Sequence, residues 1–129
     1  MNLIDGIGGA FLFSNSPKEL AAWYETALGL VPSGRNEEDG SVYKMYEYRD
    51  LEDSTVKKST TWAILPAKQN LKGQPRTGQI NYRVKSMEAM LAHLAAKSIA
   101  IEETQTFDYG KFAWLNDPDG NRIELFEDL

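Results

Sequence analysis

Displaced by 70 positions, the chain falls on itself: Gly8 lands on Gly78, Ser16 on Ser86, Leu20 on Met90 and Tyr24 on Leu94. The elements recur in the same order. Ala10–Phe13 is an apolar run of strand length, and Ser16-Pro17-Lys18-Glu19 has the form of a capping box with proline at the first helical position. Leu20, Trp23, Tyr24, Ala27 and Leu28 then share one helical face, and Gly29 stops the helix. A polar connection over 30–40 leads to strands over 41–49 and 60–65, separated by a charged loop. The pattern restarts with a strand over 79–84 and a helix capped by Ser86, whose stripe is Met87, Met90, Leu91 and Leu94. Strands over 99–104, 112–115 and 121–127 complete it. Such a repeat predicts an α+β domain of two βαβββ modules, about 1–66 and 78–129, forming a curved mixed sheet. Two helices cover only one face of so many strands, so the other face is left for a ligand or a partner.

Composition narrows the functions. With 129 residues, the chain suits one domain with a real core. It has no cysteine, which removes disulfides, thiolate metal sites and cysteine nucleophiles. The net charge of −5 comes with no basic stripe, which argues against nucleic acid. No apolar stretch approaches membrane-spanning length, and the start of the sequence has no basic segment followed by an apolar run, so the expected location is cytoplasmic, with no membrane partner.

The last turn and strand carry the most chemistry. In Asn116-Asp117-Pro118-Asp119-Gly120-Asn121, proline presets one turn position and glycine supplies a positive φ. Strand alternation then puts Ile123 and Leu125 on one face and Arg122, Glu124 and Phe126 on the other. Glu124 is therefore a carboxylate in mid-strand among aromatic and apolar residues. That position is costly unless the face is wet, or the charge is paired or metal-bound.

The two capped helices, the Leu28-Gly29-Leu30 exit and the closing Asp117–Phe126 segment resemble the glyoxalase/bleomycin resistance/dioxygenase group, the vicinal oxygen chelate superfamily. The resemblance implies paired βαβββ modules around a cleft, often in a homodimer. In metal-dependent members it implies His or Glu ligands from the first and last strand of each module. Here the first-strand positions fall on Gly9 and Gln79, and the first module's last strand, Thr60–Ile64, offers neither carboxylate nor imidazole. Only Glu124 matches a ligand position. About three protein ligands hold a catalytic ion, so no metal cofactor is expected. His93, the single histidine, lies among the stripe residues of the second helix and is expected at the helix surface.

The ligand-binding face is expected to combine Glu124, Trp114, Phe112, Trp62 and Gln79, with Tyr46 and Tyr48 as further candidates and Arg122 or Gln79 as donors to the carboxylate. Aromatic rings with one carboxylate suit planar or cationic ligands. Three readings stand: a metal-free protein that binds or sequesters a small molecule, a divalent-metal lyase, isomerase, transferase or dioxygenase, and a module whose main role is its dimer interface.

Overall fold

The computed structural model describes residues 3–129. The elements run β1 (Gly9–Ser14), α1 (Pro17–Leu28), β2 (Gly34–Arg35), β3 (Val42–Arg49), β4 (Lys57–Pro66), β5 (Gln79–Arg83), α2 (Met87–Ala96), β6 (Glu103–Phe107), β7 (Gly110–Asn116) and β8 (Arg122–Asp128). They build two four-stranded mixed sheets of identical topology, β1-β4-β3-β2 and β5-β8-β7-β6. In each, the first strand runs parallel to the last and the remaining pairs are antiparallel. The expected βαβββ repeat is present twice.

Two compact units result. One takes the chain up to Ala21 and Val31–Leu71; the other takes Ala22–Leu30 and Lys72–Leu129. The division cuts α1. Its first turns belong with the first unit, while its second half, with Tyr24 and Ala27, belongs with the second.

In the first unit, β4 pairs Trp62 with Ala10 and Lys44, and Ile64 with Leu12 and Val42. Trp62, Ile64 and Val42 are buried, together with Leu20, Ala21 and Ser14. In the second unit, alternation puts Ala113, Leu115, Ile123 and Leu125 on one face, each at most 1% exposed. Buried Met87 and Leu94 come from α2, and Tyr24 and Ala27 from α1.

Local signals explain the helix ends. Ser86 Oγ accepts from the Ala89 amide at 3.1 Å and caps α2. Glu127 Oε1 takes the Met87 amide at 2.5 Å, tying the first turn of α2 to β8. Gly29 adopts φ +69 and closes α1 by donating to the Glu25 carbonyl.

Besides shifts of one or two residues at other strand ends, three departures from the sequence reading stand out. Residues 34–35, placed in a connection, form the edge strand β2. β4 begins at Lys57, because the charged segment before Ser59 still pairs with Tyr48 and Arg49. The sixth strand is 103–107 and not 99–104. Ser98 takes φ +59, and the Ser98 and Ile99 amides bond the Ala95 and Leu94 carbonyls. Ile99 thus closes a Schellman motif, and the apolar residues that suggested a strand belong to the helix exit.

Candidate functional site

The second sheet turns a chemically mixed face away from its buried one. Register builds this face in rows: Arg83 beside Phe126, Phe112 and Gln105; Asn81 beside Glu124, Trp114 and Glu103; Gln79 beside Arg122 and Asn116. Glu124, Trp114, Phe112, Arg122 and Phe126 are all partly buried. The rings form a continuous cluster. Phe112 lies nearly parallel to Trp114 at 5.9 Å and packs on Phe126 at 5.0 Å. Phe107 and Tyr109 meet Phe112 edge-on at 5.8 and 6.0 Å. Gly110 is needed beneath this cluster, because the Phe126 ring occupies the space a Cβ would take.

Among the described residues, Glu124 has one neutral hydrogen-bond donor, and it is neither of those expected. Asn81, its direct neighbour in the parallel β5–β8 pair, donates Nδ2 to Glu124 Oε2 at 3.0 Å. Arg122 instead pairs with Glu102 at 2.7 Å, and its guanidinium lies 6.0 Å from the Trp114 ring centre. The other Glu102 oxygen accepts from Asn116 Nδ2. Arg83 lies 5.5 Å over Phe126 and pairs with Asp128 at 3.2 Å. Gln79 is exposed one row beyond Asn81.

Trp62 does not join this set. Its side chain is 3% exposed and shares the face of Ile64 and Val42, so it packs in the core of the first unit. The residues of β4 that point the other way are Thr61, Ala63 and Leu65. Tyr46 and Tyr48 share the parity of Trp62 but lie further out, at 48% and 45% exposure. Tyr48 lines an open depression with residues 3–8, Lys58 and Ser59, where Lys58 Nζ holds Asp5 at 2.8 Å. That hydrogen bond and its charge keep the Asp5 carboxyl below the usual range.

The positions that the resemblance assigns to metal ligands carry other residues. On β1, a Cβ added at position 9 would stand 2.6 Å from the Phe11 ring, so an aromatic ring already fills the first ligand position. Ala63 stands where β4 faces the same way. Among the described residues no cluster of three or more His, Asp or Glu side chains has metal-holding geometry. His93 is exposed on α2, and its Nε2 donates to the Thr26 carbonyl at 3.0 Å.

The closing turn is structural. Asp117 is 5% exposed, and its Oδ1 accepts the amides of Asp119 and Asn121 at 2.9 and 2.8 Å. Oδ2 accepts Asn121 Nδ2 at 2.8 Å and the Tyr24 hydroxyl at 2.7 Å. Burial first, then the neighbouring Tyr82 and Asp117, push the Tyr24 phenol far above its ordinary pKa. The network fixes the entry to β8 and hence the position of Glu124.

Asn81, Phe107 and Tyr109 were not legible as site members. Thr104-Gln105-Thr106-Phe107 does carry a strand signal, and a two-residue Asp108-Tyr109 turn before Gly110 completes the hairpin.

With two βαβββ sheets and this face described, the class is a glyoxalase-like α+β protein. The chain belongs to the Glyoxalase/Bleomycin resistance protein/Dioxygenase superfamily, whose family profile matches residues 6–125. Among solved structures, one similar to it is a protein assigned to the glyoxalase family from Bacillus anthracis, 18% identical, with TM-score 0.72 and coverage of 100% of this chain and 99% of that one. A superfamily member from Sphaerobacter thermophilus is 16% identical, with TM-score 0.67 over 98% and 100% of the two chains. An antibiotic binding protein from a Streptomyces species is also 16% identical, with TM-score 0.65 over the full length of both. At these identities the likeness concerns the fold. Comparison with curated protein sequences found no match. Among the described residues no helix is long and apolar enough to cross a membrane.

Proposed function

We propose that this protein binds an aromatic or cationic small molecule on the open face of its second sheet, without a metal cofactor, as a cytoplasmic homodimer. One observation carries the reading: the Glu124 carboxylate stands in the same row as Trp114, on which Phe112 stacks, and beside the row of Phe112 and Phe126. Rings offer stacking and cation–π contact, and the carboxylate supplies the countercharge. The antibiotic binding protein among the structural relatives is a precedent on the same fold. Metal-assisted lyase or dioxygenase chemistry is disfavoured by the donor set, since Gly9 and Ala63 contribute no ligand atom and Gln79 only a neutral amide.

The test is a thermal-shift screen with aromatic and cationic compounds, since a ligand bound only to the folded state raises stability by mass action. Stabilisation that is lost in Trp114→Ala is the expected result. Calorimetric titration with Ni²⁺, Mn²⁺, Zn²⁺ and Fe²⁺ is expected to show no tight binding. Micromolar or tighter binding that disappears in Glu124→Gln overturns the metal-free reading.

A further inference from the structure

The hydrogen bond between Asn81 and Glu124 specifies more than a charge. A carboxylate only accepts, so the Asn81 amide must turn its NH₂ toward Glu124 Oε2, as it does at 3.0 Å. This fixes which end of the amide is left: Asn81 Oδ1 joins the Glu124 oxygens as an acceptor on the same row. The row therefore offers acceptors from two side chains, held in register by the parallel β5–β8 pair. Beside them lies Trp114, directly across β7–β8 from Glu124.

Charge selects the complement. Around this face Glu102, Glu103, Glu124 and Asp128 stand against Arg83 and Arg122. Both guanidiniums already have a carboxylate partner, Asp128 and Glu102, whereas Glu124 has only the neutral amide of Asn81 among the described residues. Among the described residues Glu103, across β6–β7 from Trp114, likewise has only a neutral donor, Gln105 Nε2 at 2.7 Å, so the row holds two carboxylates without a cationic partner, and Glu124 is the one with an added acceptor beside it.

We infer that the ligand carries a flat cationic group with several N–H donors in one plane, an amidinium or guanidinium joined to an aromatic ring, bridging Glu124 and Asn81 Oδ1 while the ring packs against Trp114 and Phe112. A simple ammonium satisfies the charge but is a compact donor on a flexible tether, and it gains less from a planar pair of acceptors. This inference rests on the proposed binding role of the same face and sharpens it to a donor pattern.

Three probes of similar size separate the possibilities: benzamidine, benzylamine and neutral benzamide, titrated into the full chain by calorimetry or ligand-observed NMR. Wild type is expected to bind benzamidine at least about tenfold more tightly than benzylamine, and benzamide more weakly than either. In Asn81→Ala the preference for benzamidine over benzylamine is expected to fall within about threefold. Asn81 is exposed, so this variant should fold, and an unchanged thermal transition verifies that. Glu124→Gln is expected to weaken both cations. Equal binding of benzamidine and benzylamine in wild type, or a preference that survives Asn81→Ala, overturns the donor-pattern inference. If that binding still depends on Trp114, the broader binding role stands. Failure of all three probes to bind in a Trp114-dependent way overturns both.

Discussion

At the scale of single residues, Asp117 shows how a turn motif becomes a fixed point. Its carboxylate collects four donors, three from its own turn and one from Tyr24 on α1. Replacing Tyr24 by Phe keeps the ring and deletes the donor to a buried charge. The expected loss is about 2 kcal/mol of unfolding free energy in urea titration at neutral pH. The pH dependence has a definite sign. Tyr24 is nearly fully buried and its pKa is raised, so the folded chain holds the phenolic proton while the unfolded chain releases it near pH ~10. The stabilisation is complete below that value and declines above it, approaching about 1.4 kcal/mol per pH unit. The difference between wild type and Tyr24→Phe is therefore expected to shrink between roughly pH 9 and 11, the range in which an ordinary phenol titrates. A constant difference across that range refutes the assignment. The turn itself was legible from Asp-Pro-Asp-Gly-Asn, because those residues act locally. The Tyr24 partner was not, because it lies 93 positions away.

At the scale of elements, what was readable follows the range of the forces. Helix starts and stops depend on residues within a turn of each other, and Ser86 and Gly29 act as expected. Strand pairing between distant segments has no local signature. The register of β5 on β8 decides that Asn81, and not Gln79, sits beside Glu124. The alternation of β4 decides the fate of Trp62, since a one-residue change of phase exchanges Trp62 with Ala63 between faces. Equating Trp62 with Trp114 mistakes both strand and phase: β4 is the counterpart of β8, and Trp62 falls at the position of buried Ile123. The misplaced sixth strand has a similar cause: Ile99 and Ile101 look like strand residues, yet Ile99 closes the exit of α2. That exit gives a prediction. Ser98 holds φ +59, a conformation costly to any residue with a Cβ. Ser98→Gly is expected to stabilise the chain by about 0.5–1 kcal/mol, part of the relief being offset by greater freedom in the unfolded chain. A lowered midpoint in chemical denaturation contradicts this.

At the scale of the whole molecule, the two sheets share a topology while their open faces differ. Both sheets have the same strand order, and the repeat spacing sets Gly9, Phe11 and Phe13 of β1 against Gln79, Asn81 and Arg83 of β5. The second face is polar and aromatic. The first is apolar: Phe11 and Phe13 are 51% and 53% exposed, with Met45 at 44% and Tyr43 at 36% across the sheet. Single exposed apolar residues are ordinary, but neighbouring ones on a flat sheet face mark a contact surface. If the proposed homodimer forms through this face, its partner is a second copy of the chain, and that is open to test. Sedimentation velocity at about 10–100 µM, a range typical for protein association, is expected to show a dimer. Phe11→Ser with Phe13→Ser is expected to shift the population to monomer, by removing ring area worth roughly 1.5–3 kcal/mol per side chain in each copy. The substitutions sit on exposed positions, so the thermal transition of the monomer should remain cooperative. A wild-type monomer across this range, or a dimer indifferent to both serines, removes the first face from the interface.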